Sequence, residues 1–365
     1  MIFDFLKYCL GGQDNMSNVV ANIDWQQLYS FVSKQAILGL CFEGIERLGE
    51  EYPEELKQNP IERNLLMAWM GAAQQICRQN MKVNEVAAKL YSKFREDGLR
   101  CCILKGQGNA LMYSNAYSRT PGDIGIWIQA SRERLMEYAR KKFELEDDIR
   151  RQHLETSLNG VPVELHFFPC SMNNPLYHAR LQKWFKRNAD LQCSNVVSLP
   201  DGIGEIAIPT AAFNVVYQLT HIYHHFFDEG IGMRQIIDYY FVLVKSEERR
   251  VKNQAALQRE LKYLGLWNFA GAVMYVLHET LGLSEEKMIA PMDEKRGKLL
   301  LAEILNGGNF GQHFTKYGHF TQQGMAKKYF LKIWRNMHFV RYYPAEALSE
   351  PIFRTWHFFW RLRHK

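Results

Sequence analysis

The chain has 365 residues, 47% of them hydrophobic and 13% aromatic, with a formal net charge of +6. That length admits two or more domains, the apolar share can fill a real core, and no low-complexity tract argues for disorder. No uncharged apolar run of roughly 18 residues occurs, which excludes a bilayer-spanning helix.

The opening MIFDFLKYCL is apolar in flavour but broken by Asp4 and Lys7, and no small-residue cleavage site follows. It does not read as a signal peptide, and a cytoplasmic location is expected. The seven cysteines, at 9, 41, 77, 101, 102, 170 and 193, show no Cys-x-x-Cys spacing. Buried free thiols are expected rather than a disulfide framework or a zinc ribbon.

From Asp24 to Gly98 apolar residues recur at helical spacing, as in Leu28, Phe31 and Val32, then Leu65, Leu66, Trp69, Met70 and Ala73. Asp24 suits an N-cap, Pro53 and Pro60 punctuate helices, and Asp97-Gly98 closes a long one. Residues 1–98 are thus expected to form an N-terminal helical region.

The pattern then changes. Arg100 to Leu104 is a short apolar run suited to a buried strand, followed by a helix-compatible stretch from Gln107 to Tyr117. The turn Arg119-Thr120-Pro121-Gly122 leads into a second strand carrying Ile124, Ile126, Trp127 and Ile128. Ser131 caps an amphipathic helix through Phe143. Between Arg151 and Phe168, Asn159-Gly160 joins two extended runs as a hairpin, with Glu164 and His166 on the face opposite Val163 and Leu165. Residues 99–175 therefore read as a small α/β core that needs covering by helical neighbours.

After Pro175 the pattern is mostly helical, with interruptions near Asp201 to Gly204 and at Asn306 to Gly311, so residues 176–365 form a larger C-terminal helical domain. The fold class is α+β: a small mixed sheet between two helical regions. The last 42 residues from Gly324 hold nine Lys or Arg against Glu346 and Glu350, a local net of +7. Their aromatic residues, Trp334, Trp356, Phe358, Phe359 and Trp360, are expected to pack as a stripe on the body, leaving a solvated basic face. Nucleic-acid binding through this tail is a less favoured reading.

Residues i and i+2 of a strand share a face, so Asp123 and position 125 should point side by side. Carboxylates on adjacent strands can hold the divalent ions that phosphoryl chemistry uses, and a lysine and glycine at a strand end can meet phosphates. Read alone, Glu164 could equally be a surface carboxylate and Lys105 a solvent-facing strand end. Arg119 could contact a phosphate or base, or pair with a local carboxylate in the turn before Asp123. Arg234 and Asp238, at i and i+4, most simply form an ion pair. His221 and His225 have a zinc-compatible spacing but lack the acidic base of a zincin helix and are not read as a metal site.

As a set, Ile103-Leu104-Lys105-Gly106, Tyr113, Arg119-Thr120-Pro121-Gly122-Asp123-Ile124 and Val163-Glu164-Leu165-His166 resemble a bacterial branch of the polymerase-beta-like nucleotidyltransferase superfamily. The branch is that of uncharacterised nucleotidyltransferases. Further matches are His221, His225, Arg234, Asp238, Gly308-Asn309-Phe310-Gly311 and Tyr343-Pro344. The resemblance implies Asp123 and Glu164 as catalytic metal ligands, with Lys105, Gly106 and Arg119 at the triphosphate. It also implies Mg2+ or Mn2+ as cofactor, a nucleoside triphosphate as substrate, and transfer of a nucleoside monophosphate to an unidentified acceptor.

The family pattern is Asp-x-Asp, and Gly125 stands in the second position. Three readings of Gly125 stay open: an engineered inactivating change, a pseudoenzyme that binds a nucleotide or partner without turnover, or a ligand supplied from elsewhere. Asp147 and Asp148 are candidates for the last, within a charge run from Glu144 that otherwise reads as a solvated loop.

Overall fold

The structure is a computed structural model that describes residues 1–12, 15–146, 150–245, 254–314 and 325–364. Asp147 and Asp148 lie outside them. The N-terminal region comprises α1 (Ile2–Cys9), α2 (Ser17–Asn22), α3 (Trp25–Lys34), α4 (Leu38–Glu51), α5 (Pro53–Gln58) and the long α6 (Arg63–Glu96). The expected boundaries are present: Asp24 accepts from the Gln27 amide at 2.9 Å, Pro53 opens α5, and Gly98 leaves α6 at φ +73°.

The sheet unit follows as β1 (Cys101–Leu104), α7 (Gly106–Ala110), β2 (Ile124–Ile128), α8 (Arg132–Lys142), β3 (His153–Leu158) and β4 (Val161–His166). Strand order is β1-β2-β4-β3, with β2 parallel to β4 and the other two pairings antiparallel. Asn159 and Gly160, at φ +53° and +70°, make the expected tight hairpin. The helix expected to reach Tyr117 stops at Ala110. Beyond it the amides of Met112 and Tyr113 bond back three residues, to Asn109 and Ala110, and the Asn115 side chain accepts from the Tyr117 amide at 2.9 Å and its carbonyl from Ser118, local turns that compete with a continuous helix.

The C-terminal region comprises α9 (Pro175–Gln192), β5 (Val196–Ser198), β6 (Glu205–Ala207), α10 (Ala211–Asp228), α11 (Met233–Lys245), α12 (Gln254–Tyr263), α13 (Trp267–Leu281), α14 (Glu294–Gly307), α15 (Met325–Met337) and α16 (Pro344–His364). The interruption near Asp201 is the turn of an antiparallel β5–β6 pair, which three-residue strands do not announce by alternation.

Two cores organise these elements. The isoleucine-rich face of the sheet, with Ile103, Ile124, Ile126, Val163 and Leu165, packs on Val83, Ala87, Leu90 and Phe94 of α6 and Leu135 of α8. A larger core joins α1, α3 and α4 to α10, α11, α13 and α14. Leu104 and Trp127 on the second sheet face belong to it, with Trp127 stacked 6.1 Å from Phe213 of α10. The sheet is thus covered on both faces, as so small a unit requires. The cysteines are free thiols, all buried except half-buried Cys77. No helix among the described residues is long and apolar enough to cross a membrane.

The tail departs from expectation. Trp334, Trp356, Phe358 and Phe359 are exposed, whereas Arg335, Glu346 and Glu350 are buried. Polar pairing explains the inversion: Arg335 meets Glu303 and the Phe226 carbonyl, while Glu346 accepts the backbone amides of Asn173 at 2.6 Å and Asn174 at 3.2 Å.

Burial raises the Glu346 carboxyl from 4.5 to about 7, with Glu350 adding to the shift. The folded state therefore holds this proton more tightly than the unfolded chain does. Its stabilising effect is complete below pH 4.5 and is lost as pH rises to about 7, amounting to about 3 kcal/mol across the window. Thermal melts of the wild type and Glu346→Gln across pH 4 to 8 should show the wild type losing stability relative to the variant through that window. A constant difference between the two would refute the assignment.

Candidate active site

The register of the hairpin and of the β2–β4 pair determines which side chains share the second face of the sheet. Gly125 lies opposite Glu164, Glu164 opposite Glu155, and His166 opposite His153. Paired strand residues point the same way and neighbours along a strand alternate. Gly125, Trp127, Glu155, His153, Glu164 and His166 therefore share one face, joined by Asp123 just ahead of β2. The isoleucines take the other.

Lys105 ends β1 at φ +55° and ψ −130°, a conformation costly for any residue with a Cβ, and Gly106 follows at φ +41°. This double kink turns the chain into the five-residue α7. The Lys105 ammonium donates to His221 Nε2 at 2.6 Å, and His225 Nε2 lies 3.0 Å from the same nitrogen. Burial, with Lys105 and His225 close by, holds His221 well below the usual imidazole range, so it presents a neutral ring to the lysine. An ammonium has three N–H donors, which leaves Lys105 two for a ligand.

Arg119 and Arg234 approach the same cavity in different states. Arg119 is bidentate on Asp238, at 2.8 Å through Nε and 2.7 Å through Nη2, and Tyr113 donates to the same carboxylate at 2.8 Å. The carboxylate that Arg119 meets is therefore not local to its turn but lies on α11. The expected Arg234–Asp238 pair is corrected accordingly, because Asp238 hydrogen-bonds across to Arg119 instead. Arg234 donates to the Thr120 carbonyl at 3.2 Å, lies 5.4 Å from the Phe310 ring centre, and keeps a buried Nε with no partner. Burial first, then Arg119 nearby, lowers its guanidinium to about 10.

Lys105, Gly106, Arg119, Asp123 and Arg234 line one cavity of about 40 Å³. Asp123 is exposed there. Glu164 turns to the histidines instead: its Oε2 accepts from His166 Nε2 at 3.0 Å, and its Oε1 lies 3.4 Å from His153 Nε2. Burial opposes ionisation of Glu164, but the His166 hydrogen bond and the nearby His166, His153 and Lys105 outweigh it and hold the carboxyl low. His153 opens onto a second cleft of about 810 Å³, walled by Arg151 and Phe168 and by Lys332, Phe353 and Arg354 of the C-terminal helices.

The residues matched by the model of the family described as uncharacterised nucleotidyltransferases run from 21 to 282. The chain belongs to that family. The match takes in the whole sheet, the Lys105 turn and helices α10 and α11, and leaves out Phe310 and the cleft residues Lys332, Phe353 and Arg354. Among solved structures, this nucleotidyltransferase family member is similar to an antigenic nucleotidyltransferase-like protein from Paracoccidioides brasiliensis. The identity is 13% and the TM-score 0.34, over 58% of this chain and 94% of the other. No curated protein matches.

Asp123 and Glu164 stand on neighbouring strands of one sheet face, Asp123 at the small cavity and Glu164 against the histidines. Position 125 offers no side-chain oxygen, and a Cβ built there would come 3.2 Å from His166 Nε2. The imidazole fills that space. Sequence reasoning missed His153 and the unpaired state of Arg234. The first was accessible, because counting pairs outward from Asn159-Gly160 sets His153 opposite His166.

Proposed function

We propose that the protein transfers a nucleoside monophosphate from a nucleoside triphosphate to a hydroxyl or phosphate acceptor in the cytoplasm of a bacterial cell, with a divalent ion at Asp123 and Glu164. The observation that carries this reading is the placement of those two carboxylates on one sheet face beside the kinked Lys105 turn, in a chain of this family.

The free N–H donors of Lys105 and Arg234 bind phosphate oxygens in the small cavity, where burial strengthens each charge-assisted hydrogen bond. Gly106, with no side chain, lets the backbone approach. Arg119, with two of its five N–H donors on Asp238 and a third on the Thr120 carbonyl, acts mainly by fixing the wall from which Asp123 projects. The larger cleft, with its arginines and aromatic rings, takes the acceptor against the C-terminal helices. A bound magnesium or manganese ion would neutralise phosphate charge and favour in-line displacement of pyrophosphate.

A second reading, a protein that binds nucleotide without turnover, is favoured by one observation: Gly125 supplies no oxygen where the resemblance expects an aspartate. Both readings are tested by incubating the wild type and Gly125→Asp with each labelled triphosphate and Mg2+ or Mn2+, following pyrophosphate release. Release by the wild type supports transfer. Release by the variant alone identifies an impaired enzyme, and triphosphate binding without release in either identifies the binding protein. Absence of binding in both overturns the two readings together.

A further inference from the structure

His153, Glu164 and His166 bring three donor atoms within 4.8 Å of one another, and among the described residues no other three His, Cys, Asp or Glu side chains do so. All three stand on paired strands, not on loops. Glu164 and His166 are two apart on β4, and His153 is the cross-strand partner of His166. The backbone register therefore sets the spacing, as a preformed metal site requires.

The distances match a specific class of ion. Tetrahedral zinc with bonds of 2.0–2.2 Å to nitrogen and oxygen holds its donors roughly 3.4 Å apart. The observed separations from Glu164 are 3.0 Å to His166 Nε2 and 3.4 Å to His153 Nε2. Two imidazoles and one carboxylate leave a fourth position for water or a substrate oxygen, the arrangement of a catalytic rather than a structural zinc site. Magnesium, which demands hard oxygen donors in octahedral array, is poorly matched by two nitrogens.

Neither ring is locked against this use. Carboxylates face both Nε2 atoms, Glu164 that of His166 at 3.0 Å and Glu155 that of His153 at 3.2 Å, while His153 Nδ1 and His166 Nδ1 are buried with no hydrogen-bond partner among the described residues, so each ring can carry its proton on Nδ1 when Nε2 gives its lone pair to a metal. Gly125 contributes by what it lacks. The His166 ring lies against it, with Nε2 only 3.2 Å from where a Cβ would sit, so a side chain at 125 would require the imidazole to shift by a few tenths of an ångström within the cluster.

We propose that His153, Glu164 and His166 form a zinc-class metal site with one open coordination position, and that Gly125 exists to admit His166 to it. The site shares Glu164 with the proposed transfer reaction, yet it stands without nucleotide chemistry and is tested without it.

The test is calorimetric titration of the metal-stripped full-length protein with Zn2+ and, separately, Mg2+, with Co2+ as a spectroscopic substitute. The expected result is one zinc ion bound at least about 100-fold tighter than magnesium, and the intense visible absorption of four-coordinate cobalt. His166→Gln and His153→Gln should each weaken zinc binding by at least about tenfold, while His221→Gln leaves it unchanged. Gly125→Asp should lower zinc affinity and raise that for magnesium, and it reads the same claim should a histidine variant fail to fold. Zinc binding no tighter than magnesium, or insensitive to His153 and His166, or abolished by His221→Gln, would overturn the proposal. Intact zinc binding with no affinity for any triphosphate would sink the transfer reading and leave this one standing.

Discussion

Asp238→Ala is expected to cost about 3–5 kcal/mol of stability, because it strands the buried Arg119 guanidinium without its counter-ion. Arg119 and Asp238 are each more than nine-tenths buried, and two hydrogen bonds join them across more than 100 residues of chain. Burial opposes the charge on each, and each outweighs that penalty for the other, so Arg119 is held above its usual range and Asp238 below its own. Removing the carboxylate leaves that desolvation cost unopposed and also takes the acceptor from Tyr113. The pair ties the segment leading into β2 to α11, and with it the position of Asp123.

The control is the double variant Arg119→Met/Asp238→Leu, which replaces the ion pair by apolar groups of similar volume. It should recover most of the loss, since breaking a buried pair is far costlier than exchanging it whole. Urea denaturation of the three proteins separates the outcomes. A single variant as stable as the wild type would show that the pair does not hold this wall.

Much of the sheet was legible because its signals are local. Asn159-Gly160 needs only two residues to specify a tight turn, and the apolar alternation of β2 (Ile124, Ile126, Ile128) and β4 (Val161, Val163, Leu165) needs only one buried face. The caps at Asp24 and Ser131 are likewise local, and both side chains accept the expected amides. What stayed hidden depends on partners distant in sequence. Asp238 lies four residues from Arg234, yet its carboxylate is taken by Arg119, and no periodicity reports which arginine reaches it first. In the tail, helical spacing identified an aromatic stripe, but whether that stripe or the charged one turns inward is decided by Glu303, Asn173 and the Phe226 carbonyl elsewhere. The site lay between these extremes. Its carboxylates were visible as sequence motifs, whereas the turn of Glu164 toward two imidazoles needed the pairing of β3 with β4.

Lys105→Gly is expected to move stability and ligand binding in opposite directions. At φ +55° and ψ −130° a side-chain-bearing residue is strained by about 1–3 kcal/mol, and glycine removes that strain at an entropic cost of roughly 0.5–1 kcal/mol. The variant also frees the His221 lone pair from an ammonium at 2.6 Å, a contact that lowers the ring's affinity for protons. A net gain of about 1 kcal/mol should therefore appear in denaturant midpoints. Triphosphate affinity should fall by at least about tenfold, the equivalent of 1.4 kcal/mol and within what a charge-assisted hydrogen bond contributes. Lys105→Met separates the two effects, since it keeps the strained Cβ and discards the charge: binding should drop as in the glycine variant, without the gain in stability. Strain held at a functional position is a cost that folding alone gives no reason to keep. If glycine destabilises the protein, or leaves triphosphate binding intact, then the turn is shaped by packing around His221 and Lys105 has no role in holding phosphate.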